Sequence, residues 1–315
     1  MICFLKYFPA IIMKKRRYIK GFILIFTVFF AVLTAVCVFR IRSRNRSSEE
    51  VREDFISNPD EIVAAIRTGM RDHASQIEFR FHYRKNVSES LPGMFEEWIG
   101  LALEETDSPV EGDYIRYQSG GYEITCDCEA ENGAYAYLVT VIPQYYMYYS
   151  QEITVTEELE KIMNNFGFDE NTSDYEKICT VYDYVCTNIK YDNVHKGNPY
   201  HYLRSTSYAG IIWKSATCQG YCVTLYRMLK EMGIDCRIVT GTVEQNGRSE
   251  LHAWNIVRLD GAYYAVDATW DAGKEEYQYF LKGKNDFSDH FPEDKFLTRE
   301  FEERYPMADA AYRGR

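Results

Sequence analysis

The dipeptide Asp260-Gly261 constrains this chain more than any other feature, because it alone separates two strand-like runs, Leu251 to Leu259 and Ala262 to Thr269. Such a dipeptide favours the type I′ turn, whose twist matches that of the strands it joins. A two-residue turn also fixes register. Leu259 faces Ala262, so Trp254 faces Asp267 and His252 faces Thr269. His252 and Asp267 then project from one face as diagonal neighbours, about 7–8 Å apart at the backbone, close enough for imidazole and carboxylate to meet.

A second element is built to meet that face. Cys222, Leu225, Leu229 and Met232, followed by Gly233, have the spacing of an amphipathic helix with a glycine C-cap. Thr217 is the expected N-cap, which puts Cys218 in the first turn, where unpaired amides and the helix dipole favour an anionic sulfur. A thiolate attacks carbonyl carbon, and an imidazole oriented by a carboxylate supplies the base it needs. Cys218, His252 and Asp267 are therefore the candidate nucleophile, base and orienter. Singly, each has a plainer reading: a cysteine opening a helix is commonly a small buried residue, and a strand histidine a satisfied core group. The conjunction of all three carries the inference. Cys222, one turn deeper where the amides are paired, reads as core. The backbone amide of Cys218 is the natural oxyanion donor. Tyr191, Tyr208, Gln219 and Trp254 are further candidates for the cleft or oxyanion site, although in a chain with 27 tyrosines packing also accounts for the first two.

Three strings in order, Thr217-Cys218-Gln219-Gly220-Tyr221, Leu251-His252-Ala253-Trp254-Asn255 and Tyr264-Ala265-Val266-Asp267-Ala268-Thr269-Trp270-Asp271, resemble the transglutaminase-like superfamily, a branch of the papain-like cysteine enzymes. Asn188-Ile189-Lys190-Tyr191-Asp192 and Ser207-Tyr208-Ala209-Gly210 are similar to the family's lead-in segments, so the likeness spans roughly residues 150–285. It implies an α+β core, with the nucleophile helix packed on an antiparallel sheet. The implied chemistry is acyl transfer or hydrolysis at amide bonds of protein or peptide substrates through an acyl-thioester. Two departures stand out: Lys214 where many members have glycine, which bears on the cleft entrance, and Cys222 in place of a common alanine. The family's animal crosslinking enzymes require calcium, but no calcium loop is recognisable here. His195 and His201 sit in a polar loop without carboxylate partners, so no metal and no cofactor is expected. The alternative to an enzyme is a surface module that keeps the fold for binding.

Gly21 to Phe39 is an uncharged apolar run of 19 residues, long enough to cross a bilayer core of about 30 Å as a helix. Basic residues flank it on both sides, and a basic start favours an N-terminus kept inside. The reading is a single-pass membrane anchor with an extracytoplasmic enzyme. A cleaved signal peptide or a lipidated Cys37 fits the length and flanks less well. Met13, followed by Lys-Lys-Arg-Arg, makes a better translation start than Met1. The first 46 residues carry ten basic and no acidic side chains, leaving 26 basic against 47 acidic beyond them. So acidic an ectodomain does not bind nucleic acid through phosphate contacts, and the charge serves solubility.

Residues 1–46 are thus read as basic start and anchor, 47–150 as a small α/β domain of unassigned role, and 151–315 as the catalytic domain. In the middle part, helices are expected over Pro59 to Arg71 and Phe95 to Leu103, a strand over Gln76 to Arg84, and a hairpin around Asn132-Gly133. Ser173-Asp174-Tyr175-Glu176 is a capping box opening a further helix, and Tyr277 to Leu281 reads as a closing strand. Nine cysteines show no disulfide or zinc framework.

Overall fold

Residues 58–131, 133–194, 201–244 and 247–314 are described in full by the structure, a computed structural model, and at 26–28, 37–41 and 245 the backbone alone is described. The apolar run over residues 21–39 lies outside the residues described in full. The backbone of Phe26–Val28 and Cys37–Ile41 is extended beside Ser119–Glu131, and no helix among the described residues is long and apolar enough to cross a membrane. The described chain divides into two compact units, one formed by 58–105 and 119–145, the other by 106–118 and 146–314.

In the first unit, α1 (Pro59–Arg71) starts where the Asn58 side chain accepts from the Asp60 amide at 3.0 Å. Proline at the first helical position sacrifices only an amide that has no partner there. Strand β1 (Ile77–Tyr83) buries Ile77, Phe79 and Phe81 in strict alternation. After α2 (Leu91–Ala102), β2 (Ser119–Glu131) and β3 (Ala134–Tyr145) form the expected hairpin, and β3 lies between β1 and β2 with antiparallel pairing on both sides. The core is aromatic, with Phe81 edge-on to Trp98 and stacked on Tyr137.

In the second unit, α3 (Tyr149–Asn165) is followed by α4 (Asp174–Asn188). The latter opens on the anticipated capping box: the Glu176 amide donates to the Ser173 hydroxyl and the Ser173 amide to the Glu176 carboxylate. Helix α5 (Cys218–Glu231) carries the candidate nucleophile. It ends as its glycine requires, with Gly233 at φ +74°, its amide donating to Lys230 and that of Ile234 to Leu229, a Schellman motif. The helix is buried on all sides rather than amphipathic, every residue from Cys218 to Lys230 being buried. Its two cations are covered by partners: Arg227 donates to Glu152 and Glu231, each at 2.7 Å, and Lys230 to the Thr106 carbonyl at 2.7 Å. Removing one partner of so buried a pair would leave a charge without compensation.

Helix α5 packs on a four-stranded antiparallel sheet in the order β6 (Ala262–Val266), β5 (Arg248–Leu259), β4 (Cys236–Gln245), β7 (His290–Pro292). Leu259 pairs with Ala262 and Asn255 with Val266, the register that Asp260-Gly261 imposes. Two expectations are corrected. The strand stops at Val266 rather than Thr269, because Asp267 turns its carboxylate onto following amides and starts a one-turn helix, Ala268–Asp271. Tyr277 to Leu281 is not a strand, because the amides of Gln278 and Tyr279 go to the Asp271 carboxylate at 2.9 and 2.8 Å. The sheet is closed instead at its far edge by β7, which pairs with Gly241 to Val243.

Gly220 sets how close α5 comes to the segment before it. A Cβ there would lie 2.7 Å from the Ala216 side chain and 2.8 Å from the Arg204 carbonyl oxygen. Gly220→Ala is expected to destabilise the protein by about 1–3 kcal/mol through overpacking, read as a lower midpoint in urea unfolding; an unchanged midpoint would show that the neighbours can move apart.

Candidate active site

Cys218, the first residue of α5, is buried at 5% exposure. Thr217 occupies the cap position but its side chain does not cap; its hydroxyl pairs with Ser205 at 2.9 Å instead, so the orphan amides of the first turn are not consumed by it. His252 comes from β5 and Asp267 from the residue just past β6. The Nε2 of His252 donates to Oδ2 of Asp267 at 2.7 Å, which leaves Nδ1 as the nitrogen available to sulfur. The Cys218 side chain is near enough to this ring to raise its proton affinity. The three candidates from distant parts of the sequence therefore meet in one place.

The carboxylate of Asp267 is the best-held group in the unit. Its Oδ1 accepts from the Thr269 and Trp270 amides at 2.9 and 3.2 Å, and its Oδ2 accepts from His252 and, at 3.2 Å, from Nε2 of His290. Burial opposes its charge, but the two imidazole rings hold its carboxyl well below the usual carboxylate range. Burial likewise opposes a charge on His252, but the Asp267 carboxylate, followed by the Cys218 side chain, raises the ring to about 10.

His290 was invisible in the sequence. It begins β7, and its side chain is wholly buried against the ring of Phe287 at 3.8 Å between centroids. Among the described residues, His252, Asp267 and His290 bring ligand-type atoms within 4.8 Å of one another. A zinc ion with bonds of about 2.0–2.1 Å in tetrahedral geometry would hold two ligand atoms about 3.3 Å apart, wider than the 2.7 Å between His252 and Asp267. The cluster is a hydrogen-bond network.

The four remaining candidates separate. Trp254 is buried two residues along from His252, its ring 6.4 Å from the imidazole and edge-on to His290 at 5.0 Å, so it walls the site. Gln219 follows the nucleophile, but its side-chain amide donates to the Tyr117 carbonyl, tying the first turn of α5 to residues 106–118 of the same unit. Tyr191 is half-exposed in a two-residue strand paired with Ser215–Ala216. Tyr208 lies edge-on to Trp213 at 5.8 Å. Cys222 is buried, and burial pushes its thiol well above the ordinary range, which suits a core residue. Sequence reasoning missed Asn255, whose side-chain amide donates to the Cys222 carbonyl at 3.2 Å and the Arg237 carbonyl at 3.3 Å, pinning α5 to the sheet that carries His252. Its place beside Trp254 in the histidine string was the available signal.

Residues 165–268 match the model of the transglutaminase-like superfamily, a segment that contains Cys218, His252 and Asp267. This segment is a transglutaminase-like domain. Among characterised proteins, the chain is similar to the kyphoscoliosis peptidase of Homo sapiens, 25% identical over 174 residues, and to that of Mus musculus, 27% identical over 173. These matches cover 47% and 46% of this chain and 25% of each relative, so the chain spans about a quarter of the length of those relatives. Among solved structures it is similar to a candidate cysteine protease of Cytophaga hutchinsonii (17% identity, TM-score 0.31, 43% of this chain and 53% of that one). It is also similar to a TGase (16% identity, TM-score 0.35, 64% and 53%).

Within the transglutaminase-like domain, Lys214 departs from a common glycine at a place where the backbone explains the preference: its φ of +54° is left-handed. Its ammonium is turned onto the Tyr184 hydroxyl.

The raised pKa of His252 makes a testable statement about stability. The unfolded ring titrates near 6.5 and the folded ring near about 10, so the stabilisation is fully present below about pH 6.5 and is lost as pH rises through 10. The melting temperature of the wild-type protein should fall between pH 7 and pH 10 by more than that of His252→Gln. Parallel melting profiles for the two proteins would contradict the coupling.

Proposed function

We propose that the protein is a thiol enzyme acting on amide bonds of protein or peptide substrates through an acyl-thioester. The observation that carries this reading is the ring of His252, held by Asp267 through Nε2 and with Cys218 among the neighbours that raise its proton affinity. In the proposed reaction the sulfur of Cys218, its proton already on Nδ1 of His252, adds to a carbonyl carbon. The oxygen that becomes negative is met by free amides at the start of α5, that of Cys218 foremost. His252 then returns the proton to the leaving nitrogen as the C–N bond breaks, which leaves the acyl group on sulfur and releases an amine. A water or a second amine, losing its proton to His252, attacks the thioester and restores the thiolate and imidazolium.

Both acceptors use the same intermediate. The name of the curated relatives, peptidase, favours water. Over residues 21–39 the chain carries a membrane anchor in this proposal, and the thiol enzyme faces the extracytoplasmic side; the apolar run and its basic flanks support that part. No metal or cofactor enters the chemistry.

Iodoacetamide at neutral pH should alkylate Cys218, beside the His252 ring, faster than the other described cysteines, of which Cys126, Cys128, Cys186, Cys222 and Cys236 are buried. Peptide mapping by mass spectrometry reads the sites separately. His252→Ala should slow alkylation at Cys218, and slow amide turnover by about a hundredfold or more; Cys218→Ala should abolish turnover. Incubation with a peptide library followed by mapping of the acyl adduct on Cys218 identifies the carbonyl attacked. Alkylation at Cys218 no faster than at the buried thiols, with no adduct from any peptide, would leave the domain a binding module and end the enzymatic reading.

A further inference from the structure

The network around Asp267 contains one group that the proposed reaction does not use. His290 has a carboxylate at each ring nitrogen: Nδ1 lies 2.8 Å from Oδ1 of Asp289, and Nε2 lies 3.2 Å from Oδ2 of Asp267. Burial opposes the charge on both carboxylates, yet the neighbouring His252 ring with its hydrogen bond holds Asp267 below the usual range, and hydrogen bonds from His290 and Tyr279 hold Asp289 there, so both are ionised and can only accept. Each nitrogen of His290 thus faces a carboxylate oxygen, and Nε2 is the one placed to donate to Asp267. Asp289 is itself fixed from its far side, its Oδ2 accepting from the Tyr279 hydroxyl at 2.8 Å. The imidazole of His290 is clamped between the Phe287 ring and the edges of Trp270 and Trp254. A buried neutral imidazole needs an acceptor for its one N–H in any case, whereas here both nitrogens face a carboxylate.

We propose that His290, clasped by Asp289, is a positioning residue of the triad: it shares one oxygen of Asp267 with His252 and so limits how firmly that carboxylate holds the catalytic ring. The inference rests on the thiol chemistry set out above and assigns a residue to it. The other titratable groups that face Asp267 do not compete for the role. Tyr182 and Cys186 on α4, and Tyr221 and Cys222 on α5, are all pushed up by burial and carry no charge at neutral pH. The proton balance of the carboxylate is left to the two imidazoles and, through His252, to Cys218. Without the N–H of His290, Asp267 draws the imidazolium of His252 more strongly toward itself. That ring then supports a thiolate less well, and the alkylation profile of Cys218 moves to higher pH.

The test is the rate of Cys218 alkylation by iodoacetamide against pH, measured on the full chain by peptide mapping for the wild type, His290→Asn and His290→Gln. The amide of glutamine reaches the place of Nε2 and keeps the donor to Asp267, whereas that of asparagine stands in for Nδ1 and does not. His290→Asn should raise the half-maximal pH by about one unit, the size of one charge-assisted hydrogen bond. His290→Gln should stay within about 0.3 unit of the wild type on the same scale. Coincident profiles for all three proteins would overturn the assignment, and so would equal shifts in both variants, which a packing role produces. Nitrogen NMR of the histidine rings in the unaltered protein decides the matter even if neither variant folds: a hydrogen on Nε2 of His290 supports the proposal, and a bare Nε2 overturns it. A wild-type Cys218 that iodoacetamide does not touch at any pH would bring down the thiol-enzyme reading and this assignment together, while a reactive wild type with coincident profiles removes only the role of His290.

Discussion

A single buried carboxylate organises the site. Asp267 is 1% exposed and accepts four hydrogen bonds, two from backbone amides on one oxygen and two from imidazole rings on the other. An ionised carboxyl has room for about four such donors, so this one is filled. Removing a charge of this kind from water costs several kcal/mol, and only a complete set of donors offsets it. The amides come from the turn that Asp267 itself initiates, so the local chain and the site form together. The rings come from β5 and β7, on opposite sides of β4. Three elements of the sheet region thus converge on one side chain, and their positions are coupled through it.

The helix that brings Cys218 is fixed by other means. Asn255 joins the middle of α5 to β4 from its place on β5, and Tyr221 donates to the Ile189 carbonyl at 2.5 Å, tying α5 to the end of α4. Small residues set the approach distances. Gly220 lets α5 come against the Arg204 carbonyl, and Gly241 leaves room for β7, since a Cβ at Gly241 would lie 2.1 Å from the Phe291 carbonyl oxygen. The sulfur and the ring are therefore held twice over, through the helix and through the sheet, with Asn255 on β5 joining the two. Such duplication suits a site in which displacement by an ångström would weaken a hydrogen bond steeply.

The hairpin was legible because turn length and strand period leave no freedom: Asp260-Gly261 sets Leu259 against Ala262, and every later pair follows. Helix α5 was legible at both ends, since Gly233 offers a left-handed C′ position and an apolar series begins after Cys218. Its burial on the polar side was not, because the covering groups, Glu152 and Thr106, lie 75 and 124 residues away in sequence. Gln219 was misjudged for the same reason, its acceptor on Tyr117 being 102 residues distant. At Asp267 the apolar alternation suggested continued strand, and the competing tendency of an aspartate to accept from amides two and three residues on prevailed. His290 could not be found by pattern. One histidine in an acidic tail carries no periodicity, and only the closure of the sheet by a three-residue strand brings it to the triad.

The raised proton affinity of His252 bears on how one ring can serve as acid and then as base. Burial lowers that affinity, and two partners raise it, Asp267 first and the Cys218 side chain after it. In the chemistry proposed, the ring is an imidazolium while the sulfur is a thiolate, which is the state needed to protonate a leaving nitrogen. Once the sulfur is acylated it no longer carries charge, and its contribution to the ring vanishes. Asp267 alone then opposes the effect of burial, with one of its oxygens already shared with His290. The ring becomes a better base at the point where a water or an amine must lose a proton. An unshared Asp267 would hold the imidazolium more tightly and slow that second step. The arrangement favours a carboxylate strong enough to orient the ring and not so strong as to keep its proton, and a second imidazole on the same oxygen is a direct way to strike that balance.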